Sequence, residues 1–176
     1  MADIKLVHSS PDRDLFKFPQ GQAFYTNDVI VVSLKKEIIV DYDTLDFDAL
    51  LQKSRYTPIA SSIKEKNYQA CFFGAEKFFP KIVLFPNGIT ARDAEVSLSR
   101  MGLRACTTIE QLAFGKAYPL VRKYFCIVAL GSPIKVNGVE CVSVVSFESK
   151  SLCISLVKKN VPWQPGTAFL VTSGAT

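Results

Sequence analysis

Residues 91 to 114, ARDAEVSLSRMGLRACTTIEQLAF, have the pattern of two helices separated by a short extended segment. Thr90 stands where an N-cap residue belongs, and Asp93 lies three positions later, as in a capping box. Gly102 is placed to end this first helix in a left-handed conformation. The pattern predicts a helix over residues 91 to 101. This pattern constrains the fold because the segment directly after the helix must be extended.

The second helix repeats the same device at its start. Thr107 and Glu110 have the spacing of a capping box, and Ile109 and Leu112 begin an apolar face. The pattern predicts a helix over residues 108 to 117. The fold must therefore place two short capped helices on either side of a single extended turn.

After residue 124 the sequence changes to a strand pattern. Asn-Gly at positions 137 and 138 is a strong signal for a two-residue hairpin turn, and a second turn is expected at ESKS, residues 148 to 151. The pattern predicts an antiparallel sheet with one mainly apolar face. The predicted register sets Phe147 opposite Leu152, Val145 opposite Ile154, Ser143 opposite Leu156 and Cys141 opposite Lys158.

The first part of the chain, residues 1 to 79, is predicted to be a strand-rich extension of a domain formed by residues 80 to 176. Residues 1 to 26 mix Pro, Gly and Ser with isolated aromatic residues, as in an irregular arm. Two β-branched runs around KKE, residues 35 to 37, are interpreted as a hairpin or as one long bent strand. The segment DTLDFDALLQKSR predicts a short helix with acidic residues early and basic residues late.

An aromatic-rich segment, YQACFFGAEKFFPK, covers residues 68 to 81. Such rings either pack into the core or stack on the bases of a nucleic acid. Core packing is the favoured interpretation, because no stripe of basic residues alternates with the rings.

The chain is long and apolar enough to bury a core, with 176 residues of which 48% are hydrophobic. No uninterrupted apolar run approaches the roughly 20 residues that a membrane-spanning helix needs, and the first residues are too charged for a signal peptide. We expect a soluble protein, cytoplasmic or of unassigned location, that does not insert into a membrane.

The five cysteines do not have the spacing of a metal site. Their number is odd, no CxxC pair occurs, and the single histidine, His8, lies far from them in the sequence. The sequence therefore predicts reduced thiols, no bound metal and no cofactor. Because His8 is also the one histidine that a Ser-His-Asp or Cys-His system could use, the chain is predicted to be non-enzymatic.

The excess positive charge lies in the second half of the chain. Residues 1 to 90 carry 11 Lys and Arg against 11 Asp and Glu, whereas residues 91 to 176 carry 10 against 5. One interpretation is a solvated basic surface, and the other is a contact with an acidic partner such as nucleic acid. Lys158 and Lys159, which are adjacent, are candidate binding residues.

Three short motifs follow one another within residues 80 to 174. They are Asp93-Ala94, then Gly102, Arg104, Thr107 or Thr108 and Glu110, and finally Ala168-Phe169-Leu170-Val171. In this order they resemble the C-type lectin fold, as it is used in formylglycine-generating-enzyme-like domains and in the variable target proteins of diversity-generating retroelements. The resemblance implies an α+β fold of strand, two short helices and antiparallel sheet.

The resemblance and simple chemistry assign structural roles at the entry to the second helix. An arginine and a glutamate at such an entry can pair and hold the loop over the sheet. Arg104, Glu110, Gly102 and Thr107 are therefore predicted to be structural residues.

The sequence departs from the functional sites of that fold. PWQPGT supplies Trp163 and Gln164 but no acid for a calcium site. Cys141 and Cys153 are not opposite each other in the predicted register, which argues against a reactive pair. No histidine follows His8, although iron-dependent relatives need several.

The predicted function is a non-enzymatic module, on a lectin-like scaffold, that binds a ligand or protein partner or assembles with itself. The candidate binding residues are Trp163, Gln164, Lys158 and Lys159. Two prolines and a glycine fix the loop around Trp163, whose ring is interpreted either as an exposed anchor or as part of the core. A nucleic-acid-binding protein and a viral or phage structural protein are the alternatives.

Overall fold

The computed structural model describes residues 21 to 25, 28 to 58, 63, 72 to 121, 125 to 148 and 151 to 174. These residues form a mixed α+β fold that is rich in strands. The helices of the described part are α1 (Phe47–Ser54), α2 (Ala91–Arg100) and α3 (Thr108–Ala117). Its strands are β1 (Gly21–Tyr25), β2 (Ile30–Leu34), β3 (Ile38–Asp41), β4 (Thr57–Pro58), β5 (Ala75–Phe78), β6 (Lys81–Leu84), β7 (Leu103–Ala105), β8 (Cys126–Val136), β9 (Val139–Glu148), β10 (Ser151–Lys158) and β11 (Thr167–Ser173).

Most of these strands form one large sheet. Within the described part it has nine strands, in the order β1-β2-β6-β11-β8-β9-β10-β4, and β7 pairs with the end of β11. β3 and β5 form a separate two-stranded sheet. None of the helices described is long and apolar enough to cross a membrane.

The antiparallel sheet predicted after residue 124 is confirmed for β8, β9 and β10. All four predicted cross-strand pairs of β9 and β10 occur, and residues 137 and 138 form the turn between β8 and β9. The prediction is wrong for β11, which runs parallel to β8 and antiparallel to β6. The physical reason is burial. Residues 167 to 172 are buried on both faces, and such a strand belongs in the middle of a sheet, where a neighbouring strand can run parallel to it.

Helices cover both faces of the large sheet. Ile82 and Leu170 belong to the cluster that α1 and α3 complete. Val83 and Phe169, their neighbours in sequence, belong to the cluster that α2 completes. Because successive side chains of a strand point to opposite faces, α2 lies on one face of the sheet and α1 and α3 lie on the other.

The extended segment between α2 and α3 crosses the sheet. β7 pairs with the end of β11, beyond the point where β8 separates from β11. Cys106 bridges the gap, because its N–H donates to the carbonyl of Leu170 and its carbonyl accepts from the N–H of Gly131, both at 2.9 Å. A Cβ at Gly131 would lie 2.5 Å from the carbonyl oxygen of Ala105, so this approach needs glycine.

The two β-branched runs around KKE belong to different sheets. β2 pairs with β1 and β6, whereas β3 pairs with β5, so the runs form neither a hairpin nor one bent strand. The chain turns between them at Lys36, whose N–H donates to the hydroxyl of Tyr118 at 2.7 Å and whose carbonyl accepts from that hydroxyl at 3.0 Å. Tyr118 follows α3, and it thereby holds β3 against that helix.

The described parts of residues 1 to 79 and 80 to 176 share the large sheet and the hydrophobic cluster that α1 and α3 complete. β2 lies beside β6, α1 packs on α3, and Phe47 belongs to the same cluster as Leu112. The predicted division at residue 79 thus does not separate two cores in the described part. Residues 1 to 20 of the predicted arm lie outside the described residues.

The predicted helix caps are present. Thr90 accepts the N–H of Asp93 at 3.1 Å, and Thr107 and Glu110 form a complete capping box. α2 ends one residue earlier than predicted, and Gly102 has a φ of +67°, in the left-handed region as predicted.

Gly102→Val should destabilise the protein by about 1 kcal/mol or more, because a β-branched residue resists the left-handed conformation. An added Cβ would meet no atom within 4 Å, so the loss would come from backbone strain and not from a clash. Urea denaturation measures the change. Gly102→Asn is the control and should lose less, because asparagine tolerates this conformation. Equal losses in the two variants would contradict the assignment.

Candidate binding groove

A groove lies where β3, α1 and α3 meet. Asp46 begins α1 by accepting the N–H of Ala49 at 2.8 Å, and Arg55 ends the helix in a left-handed conformation. Both α1 and β3 pack against α3. The space between the three elements holds about 220 Å³.

The groove has an apolar wall and a polar rim. Its apolar lining residues are Ile39, Val40, Leu45, Ala49, Leu50 and Ala113. Its polar lining residues are Asp41, Thr44, Asp46, Lys53 and Lys116. The groove can therefore accept an apolar group and place polar groups beside it.

The two carboxylates of the groove are engaged within the chain. Asp41 accepts the hydroxyl of Thr44 at 2.7 Å and the N–H of Asp43 at 3.1 Å. The bond from the Thr44 side chain is the main cause that lowers the pKa of Asp41 below its usual value. Asp46 caps α1. Both carboxylates thus serve local turns and caps.

The two lysines of the groove are not engaged in this way. Within the described part of the chain, neither Lys53 nor Lys116 makes an ion pair or a hydrogen bond. Each lies in the last turn of its helix, where a positive charge interacts favourably with the helix dipole. Their ammonium groups keep hydrogen-bond donors that a ligand can use.

Exposed apolar side chains lie on and beside the small sheet, and one of them, Ile39, lines the groove. Ile39, opposite Lys77 in the β3–β5 pair, is 58% exposed. Phe79, directly after β5, is 53% exposed, and Phe73, shortly before it, is 85% exposed. Phe78 is buried. The core interpretation of the aromatic-rich segment thus holds for Phe78 and not for Phe73 or Phe79.

Arg104 and Glu110 form the predicted ion pair. Arg104 donates two hydrogen bonds, at 2.6 and 2.9 Å, to the carboxylate of Glu110, which is fully buried. Glu110 also accepts the N–H of Thr107 at 2.7 Å, and the guanidinium lies 4.8 Å from the centre of the Phe72 ring. The pair ties β7 to the first turn of α3.

Burial and charge around this pair shift the pKa values of its neighbours. Burial, followed by the charge of Glu110, raises the pKa of the Cys106 thiol and that of the Tyr42 phenol. Burial alone would lower the pKa of Arg104, but its hydrogen bonds to Glu110 and the charge of that carboxylate raise it. Cys106 is therefore a protonated thiol at neutral pH and not a nucleophile.

A second buried polar group joins α3 to the sheet. Thr108 contacts the hydroxyl of Ser132 at 3.0 Å and that of Ser143 at 2.8 Å. Ser143 donates to the side-chain carbonyl of Gln111 at 2.7 Å, and Gln111 donates to the carbonyl of Ile127 at 2.8 Å. These side chains satisfy one another, so the group is structural.

Trp163 lies in the core and not in the groove. It is 7% exposed and meets the ring of Phe169 edge-on at 6.1 Å. Its loop is fastened to the segment before α2, because the N–H of Trp163 donates to the carbonyl of Ile89 at 2.8 Å and the reverse bond measures 3.0 Å. The structure agrees with the core interpretation, and the indole is not the exposed anchor that a binding role requires.

The other predicted binding residues do not line the groove either. Gln164 and Lys158 are exposed. Lys159 pairs with Glu95 of α2 at 2.7 Å, so its charge already has a partner.

Sequence reasoning missed the groove, although part of its signal was present. Ile39 alternates with the buried Ile38 and Val40, which marks it as an apolar side chain on the exposed face of a strand. Lys53 and Lys116 carried no such signal, because a lysine at the end of a helix is ordinary. Only the packing of α1 on α3 brings them to one groove.

Within the described residues, no group of three His, Cys, Asp or Glu side chains could hold a metal ion. No disulfide joins any two of the four cysteines in this part, Cys106, Cys126, Cys141 and Cys153. Comparison with protein-family models, with curated proteins and with solved structures finds no match to the chain. The function is therefore argued from the geometry alone.

Trp163→Ala should lower the free energy of unfolding by roughly 3 to 5 kcal/mol, because it leaves a cavity beside Phe169. Trp163→Phe is the control and should lose less. It keeps a ring and removes an indole N–H that has no acceptor in the described part. Chemical denaturation of both variants provides the comparison. An alanine variant as stable as wild type would show that Trp163 does not support the core.

Stability should fall as the pH rises above about 8.5, where an unfolded cysteine begins to ionise. The raised pKa keeps Cys106 protonated in the folded state. Above that pH the unfolded state binds fewer protons at Cys106 than the folded state does, so a rise in pH favours unfolding. One proton corresponds to a slope of at most about 1.4 kcal/mol per pH unit. Denaturation between pH 7.5 and 9.5 should give a shallower slope for Cys106→Ala than for wild type. Cys126→Ala, at an exposed position, is the control, and a wild-type slope in Cys106→Ala would refute the assignment.

Proposed function

We propose that the protein is a non-enzymatic module that binds another protein through the groove between β3, α1 and α3. The observation that carries the proposal is an apolar groove wall that includes the exposed side chain of Ile39, in a small sheet whose second strand is flanked by the exposed Phe73 and Phe79. Exposed apolar surface beside a concavity, with a polar rim, is typical of protein-binding sites.

The size of the groove favours a segment of a protein over a free small molecule. Sites for drug-sized ligands and cofactors hold about 300 to 1,000 Å³ and surround most of the ligand. The groove holds about 220 Å³, enough for one or two side chains of a larger partner. The rest of the partner would then lie across the small sheet, where Ile39 and Phe79 are exposed.

The lectin-like scaffold is part of the same proposal. It is supported by the two short helices on either side of β7, by the antiparallel strands β8 to β10 and by the Arg104–Glu110 pair at the entry to α3. On this scaffold the groove lies between β3, α1 and α3, on the face of the large sheet opposite α2.

A nucleic-acid partner is less well supported. Base stacking on aromatic rings is accompanied by cations that contact the phosphates. Lys77, in the strand between Phe73 and Phe79, instead pairs with Glu37 at 3.8 Å. Arg104 and Lys159, in the basic second half, also have acidic partners. Retardation of DNA or RNA by the protein at low salt would contradict this reasoning.

Ala49→Phe should weaken the binding of groove ligands about tenfold or more, because a ring added to α1 fills the groove. Peptides selected on the immobilised protein from a random displayed library provide the ligands. Titration of the isotope-labelled protein, followed by NMR, gives their affinities and locates their contacts.

Ser99→Phe is the matched control, because Ser99 is exposed on α2 at the opposite face of the sheet. This variant should bind the selected peptides like wild type. Thermal melts of both variants verify that they fold. The proposal fails if the library gives no peptide whose binding depends on position 49.

A further inference from the structure

The charges of the groove indicate the chemistry of its partner. Lys53 and Lys116 come from different helices and line the same groove. Neither makes an ion pair or a hydrogen bond in the part of the chain that is described, although Asp41 and Asp46 line the groove with them. The groove thus contains cationic donors that no acid of the described part contacts directly.

Asp41 and Asp46 do not pair directly with the two lysines, because both carboxylates accept hydrogen bonds from nearby residues of the chain. Asp41 accepts hydrogen bonds from Asp43 and Thr44 within its own turn, and Asp46 accepts from Ala49 at the start of α1. These bonds fix the carboxylates close to the backbone. The lysine ammonium groups, on long flexible side chains, remain free to pair with an anionic group that enters from solvent.

We propose that the groove binds an acidic segment of a partner protein, a conclusion that rests on the proposed function. An apolar side chain of the segment packs on the wall formed by Leu45, Ala49 and Leu50, and a neighbouring carboxylate pairs with Lys53 and Lys116. The apolar contact supplies most of the affinity, and the ion pairs select an Asp or Glu beside it.

The charge of the whole chain also favours an acidic partner over a second copy of this chain. The formal net charge is +5, so two copies repel each other, whereas an acidic protein is attracted over a longer range. A nucleic-acid strand fits less well, because the described residues that line the groove include no aromatic ring on which a base could stack.

Two synthetic peptides of twelve residues test the inference directly. The first consists of Leu, Phe, Ser and Asp, and the second has Asn in place of every Asp. NMR titration of the full chain in low salt should show the acidic peptide shifting the amide signals of the groove. The amide peptide should bind roughly five- to tenfold more weakly, the effect of losing two exposed ion pairs.

The double variant K53Q/K116Q should bind the acidic peptide roughly five- to tenfold more weakly than wild type does. Its affinity for the amide peptide should change little. K135Q/R92Q is the matched control, because it removes the same charge at exposed positions that do not line the groove. It should bind like wild type. High salt should bring the affinities of the two peptides together.

The outcomes separate this inference from the function on which it rests. If both peptides bind equally and Ala49→Phe abolishes both, the acidic preference is wrong and the protein-binding groove stands. If neither peptide shifts the groove signals while library peptides without Asp or Glu do so, the preference is again wrong. If an oligonucleotide of twenty residues shifts these signals and depends on Lys53 and Lys116, or if sedimentation shows a dimer that Ala49→Phe dissociates, the acidic protein segment is excluded.

Discussion

The rest of the fold depends on the hydrogen bonds that the buried carboxylate of Glu110 accepts. A carboxylate without partners in this position would be very unfavourable, and Glu110 has three short hydrogen bonds, two from Arg104 and one from the N–H of Thr107. Arg104 lies in β7, within the sheet, and Glu110 lies in α3, above it. The pair therefore fixes the place where the chain passes from one face of the sheet to the other.

This crossing determines where the groove forms. Because α3 emerges on the face opposite α2, the side chains of Leu112 and Phe114 complete a core to which α1 and β3 also contribute. Tyr118 then binds the backbone of Lys36 and turns β3 away from the large sheet. The groove is the space that remains between the three elements, so its position follows from the crossing even though none of the crossing residues lines it.

Local features of this architecture could be predicted from the sequence, and long-range ones could not. The caps at Thr90 and Thr107, the left-handed Gly102 and the register of β9 on β10 each depend on residues that are close in the sequence or joined by one short turn. The position of β11 beside β8, and the separation of β2 from β3, depend on partners many residues away. An apolar run shows that a strand is central but not which strands flank it.

The candidate site was harder to predict for a related reason. Sequence reasoning favours unusual residues, and Trp163 is the only tryptophan of the chain. Its loop hydrogen-bonds to the segment before α2 and draws the ring into the core, as is common for so large a side chain. Lys53, Lys116 and Ile39 are ordinary residues that the core does not use. Because none of these three contacts Arg104 or Glu110 in the described part, their substitution should leave the Glu110 crossing intact.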